Sequence, residues 1–278
     1  MVWQRGANPI VYLRADMGTL FLLLGVVGGV IVAGAVLAGE RRRRAVAAAA
    51  AALAAEEADS RRRFIRRLDH EVKNPLTAMR AALANLNGAC DPQTMRSLRG
   101  QVDRLARLSA DLRKLTDLEL QPLEQEEVDL AALLAELVEI ARDRPEACCR
   151  SIVLTIPQAP WPLAPVLGDR DLLFLAFHNL LDNALKFTGE GATVEVRAYE
   201  DSSDVAIEVA DTGPGIAPEE LPHLGEELYR GSAGIGVEGS GLGLALVKAI
   251  VARHNGAMTI RSRPGRGTVV TMRLPGAR

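Results

Sequence analysis

The spacing of apolar positions changes repeatedly along this chain, and each change predicts a different element. Met17 to Gly39 is a run of 23 residues without a charge. As an α-helix rising about 1.5 Å per residue it covers roughly 34 Å, enough to cross the hydrocarbon core of a bilayer. Glu40 and Arg41, Arg42, Arg43 and Arg44 follow at once, which predicts a cytoplasmic location for everything after residue 40 and an outward-facing N-terminus. The competing reading is a cleaved signal peptide. The run is long for a signal h-region, and the arginine block behind it reads as a stop to transfer. Gly25-x-x-x-Gly29 permits two such helices to approach closely, a weak signal because glycine is common in membrane helices. Only 16 residues precede the span, so no folded extracytoplasmic sensor domain is expected there.

Residues 45–58 are Ala-rich and strongly helix-favouring, whereas a flexible tether is rich in Gly and Ser. No Gly or Pro occurs between Glu40 and Asn74, which predicts one nearly continuous helix from the membrane onward. Ile65, Leu68, Val72, Leu76, Met79, Leu83 and Leu86 then alternate at spacings of three and four. Asn87-Gly88 and Asp91-Pro92 break the chain. A second stripe follows at Met95, Leu98, Val102, Leu105, Leu108, Leu112 and Leu115. Two amphipathic helices joined by a short break make a hairpin. One hairpin leaves part of its stripes uncovered, and two from two chains make a four-helix bundle, so a homodimer is expected.

After Pro122 the pattern mixes helix and strand. Val128–Ala141 and Asp171–Phe187 read as helices, the second carrying Asn179 and Asn183 on one face and Lys186 about a turn further. Ser151–Ile156, Val194–Tyr199, Val205–Ala210, Met258–Ser262 and Thr268–Leu274 read as strands. Such a mixture predicts an α/β sandwich with helices on one face of the sheet. Two glycine clusters punctuate it. Asp211-Thr212-Gly213-Pro214-Gly215 follows a strand, and Gly239-Ser240-Gly241-Leu242-Gly243 opens the helix Ala245–His254. Glycine lets backbone approach a ligand closely, and a helix N-terminus favours phosphate. Neither cluster has the Gly-Lys-Ser/Thr of a P-loop or a βαβ setting, and alone each is equally well a structural turn.

Charge and cysteine narrow the function. The formal net charge of −2 gives no case for a nucleic-acid partner. Cys90, Cys148 and Cys149 have neither metal-ligand spacing nor a nearby His cluster, so reduced thiols are expected. His70-Glu71-Val72-Lys73-Asn74-Pro75 lacks the second His of a zinc helix. Among the other histidines, His178 reads as packing, His223 falls between the glycine clusters, and His254 ends a helix, where a cation is favourable.

Taken in order, the His-Glu helix, the Asn-x-x-x-Asn helix, Asp-x-Gly-x-Gly and Gly-x-Gly-Leu-Gly-Leu resemble the sensor histidine kinases of two-component systems. The last three resemble the ATP-binding fold shared with gyrase B-type ATPases. The likeness covers roughly residues 60–275. It implies that His70 accepts a phosphoryl group from ATP, with Glu71 polarising its imidazole. It implies that Asn183 ligates Mg²⁺, Asn179 supports metal and phosphates, and Lys186 reaches a phosphate. Asp211 would accept from the adenine amine, while Gly213 and Gly215 shape the base pocket. Gly239, Gly241 and Gly243 would wrap the triphosphate, with residues 217–238, including Arg230, as a mobile lid whose Gly231, Gly234 and Gly236 give flexibility. Asn74 would orient water for dephosphorylating a response regulator, the partner that otherwise receives the phosphoryl group on an aspartate.

Three departures stand out. Asp69 precedes the His where the family often has Ser. Gly225 and Leu228 occupy the lid positions where it commonly has Phe, and only about 20 residues link membrane to bundle. The expected organisation is a short extracytoplasmic N-terminus at 1–16, a transmembrane helix at 17–39, an Ala-rich signalling helix at 40–59, a dimerisation and phosphotransfer domain at 60–121, and a catalytic ATP-binding domain at 122–278. Competing functions are a silent ATP-sensing scaffold, disfavoured by the intact His70, Asn183, Asp211 and glycines and only faintly favoured by the altered lid, and a non-kinase ATPase of the same superfamily, disfavoured by the His-bearing hairpin.

Overall fold

The computed structural model describes residues 17–84, 92–159, 161–234, 237 and 239–277. The break at Asn87-Gly88, with Leu86, Cys90 and Asp91, the N-terminal 1–16 stretch and Gly236 lie outside the described residues. The chain divides into two units, Met1–Arg63 and Phe64–Arg278. Helix α1 runs Met17–Ala84, so it contributes to both, and each unit is described by itself.

The first unit's described residues are helical, and their large apolar side chains, from Phe21 to Leu37, are exposed. Among the described residues, α1 is the one helix long and apolar enough to cross a membrane. Beyond the apolar run, Glu40 pairs with Arg44 at 3.4 Å and Asp59 with Arg62 at 3.7 Å, exposed one-turn pairs of the kind that reinforce a helix slightly.

The second unit begins with the rest of α1 and with α2 (Pro92–Leu120). Pro75 lies buried inside α1. Having no N–H, it leaves the Glu71 carbonyl without its helical donor one turn back, which loosens the ladder beside His70. Next come β1 (Glu126–Val128), α3 (Leu130–Arg142), β2 (Ser151–Thr155), β3 (Val166–Gly168), α4 (Arg170–Phe187), β4 (Thr193–Asp201), β5 (Asp204–Asp211), α5 (Gly243–Arg253), β6 (Ala257–Arg263) and β7 (Gly267–Pro275). Aspartates start α3 and α4. Asp129 accepts from the Ala132 N–H and Asp169 from the Leu172 N–H, each at 3.0 Å, satisfying donors that a helix leaves open.

Five strands form one sheet in the order β2-β4-β5-β7-β6, with β2 and β4 parallel and the other pairs antiparallel. β1 and β3 pair separately. Alternation sets the faces. Val194, Val196, Ala198, Val205, Ile207 and Val209 face a core shared with Leu134 and Leu137 of α3, Phe177 and Leu181 of α4, and Leu246 and Ile250 of α5. On the other face Glu208 is 6% exposed. Its carboxylate accepts from Tyr199, Arg261 and Thr271 at 3.2–3.3 Å, the pairing a buried charge requires.

This is the expected α/β sandwich following a helical hairpin. The strands run one to two residues longer than expected at several ends, and α5 starts at Gly243 rather than Ala245. The small β1–β3 pair was not expected, because three-residue strands carry too short a pattern to read.

Candidate functional site

Between α2, α4, α5 and the sheet lies a cavity of about 820 Å³. Its wall contains Asn179, Asn183, Lys186, Asp211, Gly215, Arg230, Gly239, Gly241 and Gly243, residues separated in sequence and brought together by the fold.

One end is organised by Asp211, the last residue of β5. Its Oδ1 accepts the Gly213 N–H at 2.8 Å. Burial pushes the Asp211 carboxyl above the usual aspartate range, against the pull of backbone hydrogen bonds from Gly213 and Thr268. Gly213 is not itself in the wall, but a Cβ there would sit 2.8 Å from both Asp211 Oδ1 and the Phe187 carbonyl. Gly215 has a φ of +69°, and a Cβ would fall 2.0 Å from the Arg263 carbonyl. Only glycine fits this close passage of two chains.

At the other end α4 presents Asn179 and Asn183 to the start of α5. Asn179 Nδ2 donates to the Leu175 carbonyl at 2.7 Å. A Cβ on Gly243 would lie 3.1 Å from Asn179 Oδ1 and 3.7 Å from Asn183 Nδ2. The Lys186 ammonium pairs with Asp182 at 2.6 Å. Asp182 also meets Arg144 at 3.3 Å, and Arg144 touches His178 Nε2. His178 therefore belongs to the charged wall rather than to simple packing. Burial holds its pKa below the ordinary histidine value, reinforced by Arg144, Lys114 and Lys186 and opposed by Asp182.

The segment between β5 and α5 closes one side. Arg230 donates to the Val237 carbonyl at 2.5 Å and also to that of Gly234, so its guanidinium ties the segment to itself. Arg67 of α1 donates to Glu226 at 2.6 Å and to the Glu227 carbonyl at 3.1 Å, and lies 5.2 Å from the Tyr229 ring centre. Leu228 is buried with Leu108 and Leu242, packed on Phe64, Leu68 and Val72. Its φ of +58° is unusual for a residue with a Cβ. The two altered lid positions are thus accommodated. Leu228 plugs the hairpin, and Gly225 adopts a φ of +88° that strains any side chain.

His70 and Asn74 are exposed on α1 and outside the cavity wall. Glu71 is paired with Arg104 of α2 at 2.6 Å. Both line a smaller cavity of about 250 Å³ that shares Arg107, Arg230, Val237, Gly239 and Ser240 with the larger one. Sequence reasoning missed Arg107, Asp111 and Lys114, which bring α2 into the wall. Their spacing on one helix face was the available signal. His254, expected as a helix-end cation, is buried instead. Its Nε2 accepts the Asp169 N–H at 3.0 Å, so its Nδ1 carries the proton and donates to the Ile250 carbonyl at 2.8 Å. Among the described residues no cluster of three or more His, Cys, Asp or Glu side chains is placed to hold a metal.

Residues 60–121 match the His Kinase A (phospho-acceptor) domain, and residues 168–278 match the histidine kinase-, DNA gyrase B- and HSP90-like ATPase domain. The signal transduction histidine-protein kinase BaeS of Escherichia coli K12 is 32% identical over 222 residues, covering 77% of this chain and 47% of BaeS. The histidine-protein kinase/phosphatase MprB of Mycolicibacterium smegmatis is 36% identical over 225 residues, covering 75% of this chain and 44% of MprB. The chain thus spans about half the length of the curated relatives it matches. The structure of histidine kinase ThkA in complex with response regulator protein TrrA shares the fold, with a TM-score of 0.63 at 20% identity over 77% of this chain and 61% of that one. With both domains in this order, the chain belongs to the sensor histidine kinases of two-component systems.

Proposed function

We propose that this chain is an ATP-dependent protein-histidine kinase that phosphorylates its own His70 and passes the phosphoryl group to an aspartate of a response regulator. The observation that carries this reading is the 820 Å³ cavity that joins Asn183, Asp211 and the Gly239–Gly243 loop on a chain whose hairpin displays an exposed His70. The balance of the reaction is simple. A ring nitrogen of His70 bonds to the γ-phosphorus, the bond to the β-bridging oxygen breaks, ADP departs with that electron pair, and the imidazole proton is released. Asp211 recognises the adenine amine. The α5 amides and the glycine loop hold the polyphosphate. Asn183, supported by Asn179, fits Mg²⁺, an ion that takes few protein oxygens and keeps waters and substrate phosphates; bound there, it would neutralise charge on the phosphates.

His70 lies outside the cavity wall, so transfer requires relative motion of hairpin and cavity, or a second chain. A homodimer fits the exposed Ile65, Leu76, Leu83 and Val102, apolar residues of the two hairpin stripes. The apolar span of α1 anchors the protein in a membrane, with residues 60–121 and 122–278 as cytoplasmic phosphotransfer and catalytic domains. Asn74, one turn from His70, serves dephosphorylation of the partner; the name of MprB pairs kinase with phosphatase. The test is transfer: His70-phosphorylated protein mixed with a purified receiver domain should lose its label as the receiver gains one. A label that never leaves His70 for any receiver, including that of a neighbouring gene, contradicts the proposal.

A further inference from the structure

Four basic side chains stand in the wall of the large cavity: Arg107, Lys114, Lys186 and Arg230. Two of them, Arg107 and Lys114, come from α2 of the hairpin. The wall also carries Asp111, Asp171, Asp182, Asp211 and Glu220. Without α2 it would keep two cations against four carboxylates, a poor environment for a polyphosphate. Of the two remaining cations, Lys186 is held by Asp182 at 2.6 Å, and Arg230 is committed to backbone carbonyls.

A specific contact joins α2 to the glycine-rich loop. Ser240 Oγ donates to Asp111 at 2.6 Å, and the Leu242 N–H donates to Ser240 Oγ at 3.2 Å. Arg107 lies one helical turn before Asp111 on the same face of α2. Lys114 follows Asp111 by three residues, 3.8 Å from its carboxylate and 48% exposed. The two cations therefore flank the point where the loop is fastened, and Arg107, Gly239 and Ser240 are shared with the smaller cavity that Glu71 lines.

We infer that Arg107 and Lys114 are nucleotide-binding residues supplied by the hairpin, contacting the polyphosphate while the glycine loop is docked on α2; this rests on the ATP-site reading above. The phosphotransfer hairpin then senses phosphate number directly. ATP is held by α2 more tightly than its nucleoside, and loss of phosphate weakens the docking.

The test is equilibrium binding of ATP and of adenosine, with Mg²⁺, to the full chain in detergent. The parent is compared with the double variant Arg107→Gln/Lys114→Gln, with Lys114→Arg, and with Arg113→Gln, an exposed α2 cation outside both cavity walls. Removing charge-assisted contacts should weaken ATP binding roughly tenfold and leave adenosine binding unchanged, while Lys114→Arg, which keeps the charge, loses less ATP affinity than Lys114→Gln and Arg113→Gln binds ATP like the parent. Lys114→Gln alone, at a half-exposed side chain, gives the same comparison should the double variant not fold. Equal ATP affinity in parent and glutamine variants, or an equal loss for adenosine, overturns the inference. A parent that binds no ATP overturns the ATP-site reading itself, a distinct result.

Discussion

Glu71, the neighbour of His70, is joined to Arg104 of the other hairpin helix by an ion pair of 2.6 Å. The carboxylate assigned to polarise His70 is therefore already occupied by a guanidinium. Freed of it, Glu71 is available to accept the imidazole proton, a role that general-base catalysis rewards strongly. Arg104→Gln should raise the initial rate of self-phosphorylation by roughly threefold or more, while Glu71→Gln lowers it. An Arg104→Gln rate at or below that of the parent would show that the ion pair supports catalysis instead.

Docking of the 221–234 segment on α1 should depend on acid. Burial pushes Glu226 up, but hydrogen bonds from His223 and Arg67 outweigh it and leave its carboxyl below the ordinary glutamate value. A lowered folded value means a stabilising contribution that is present above the unfolded glutamate value and lost as pH falls through the folded one. Amide exchange over 221–234, corrected for intrinsic rate, should therefore accelerate below the ordinary glutamate range. Arg67→Ala should show fast exchange at all pH values.

Asp211 has the opposite sign. Its raised value means a contribution to folding that is present below the unfolded aspartate value and lost as pH rises through the folded one. The adenine recognition proposed for Asp211 needs the charged form, so ATP affinity should fall on acidification at a higher pH than an ordinary aspartate allows. Asp211→Asn should weaken ATP binding by about 1.5–3 kcal/mol and remove that pH dependence. Titrations of ATP affinity against pH for parent and variant check both statements.

Leu228 and Phe177 separate local from global stability. Phe177 is 1% exposed in the main core, and Phe177→Ala should cost about 3–5 kcal/mol with a large drop in Tm. Leu228 lies in a separate small cluster with Leu108 and Leu242. Leu228→Ala should loosen the 221–234 segment in exchange measurements and leave the Tm of the α/β unit nearly unchanged. A Tm loss as large as that of Phe177→Ala would make the lid part of the main cooperative unit.

Much of the fold was legible because local patterns and the sheet agree. Val194, Val196 and Ala198 alternate inward along β4, and Asn179 and Asn183 lie one turn apart on a helix long enough to recognise. The candidate site was legible through its glycines, whose positions answer to close contacts such as Gly213 against Phe187. What could not be read depends on pairs distant in sequence. Ser240 meets Asp111 across 129 positions and Arg67 meets Glu226 across 159, so the local signal for α2 was confined to the spacing of Arg107, Asp111 and Lys114 on one helix face, which does not say what that face meets. His254 was misread because its exposure was judged from the helix end, while its Nε2 partner, the Asp169 N–H, lies 85 positions away.

The account stands most directly on one labelling experiment. The chain of residues 1–278 in membranes or detergent, incubated with γ-labelled ATP and Mg²⁺, should acquire a label that is stable to base and lost in acid, as a phosphoramidate is, and that maps to His70. His70→Ala should abolish the label while keeping ATP binding, since His70 lies outside the cavity wall. A label that persists in His70→Ala, or that resists acid, would contradict the central claim.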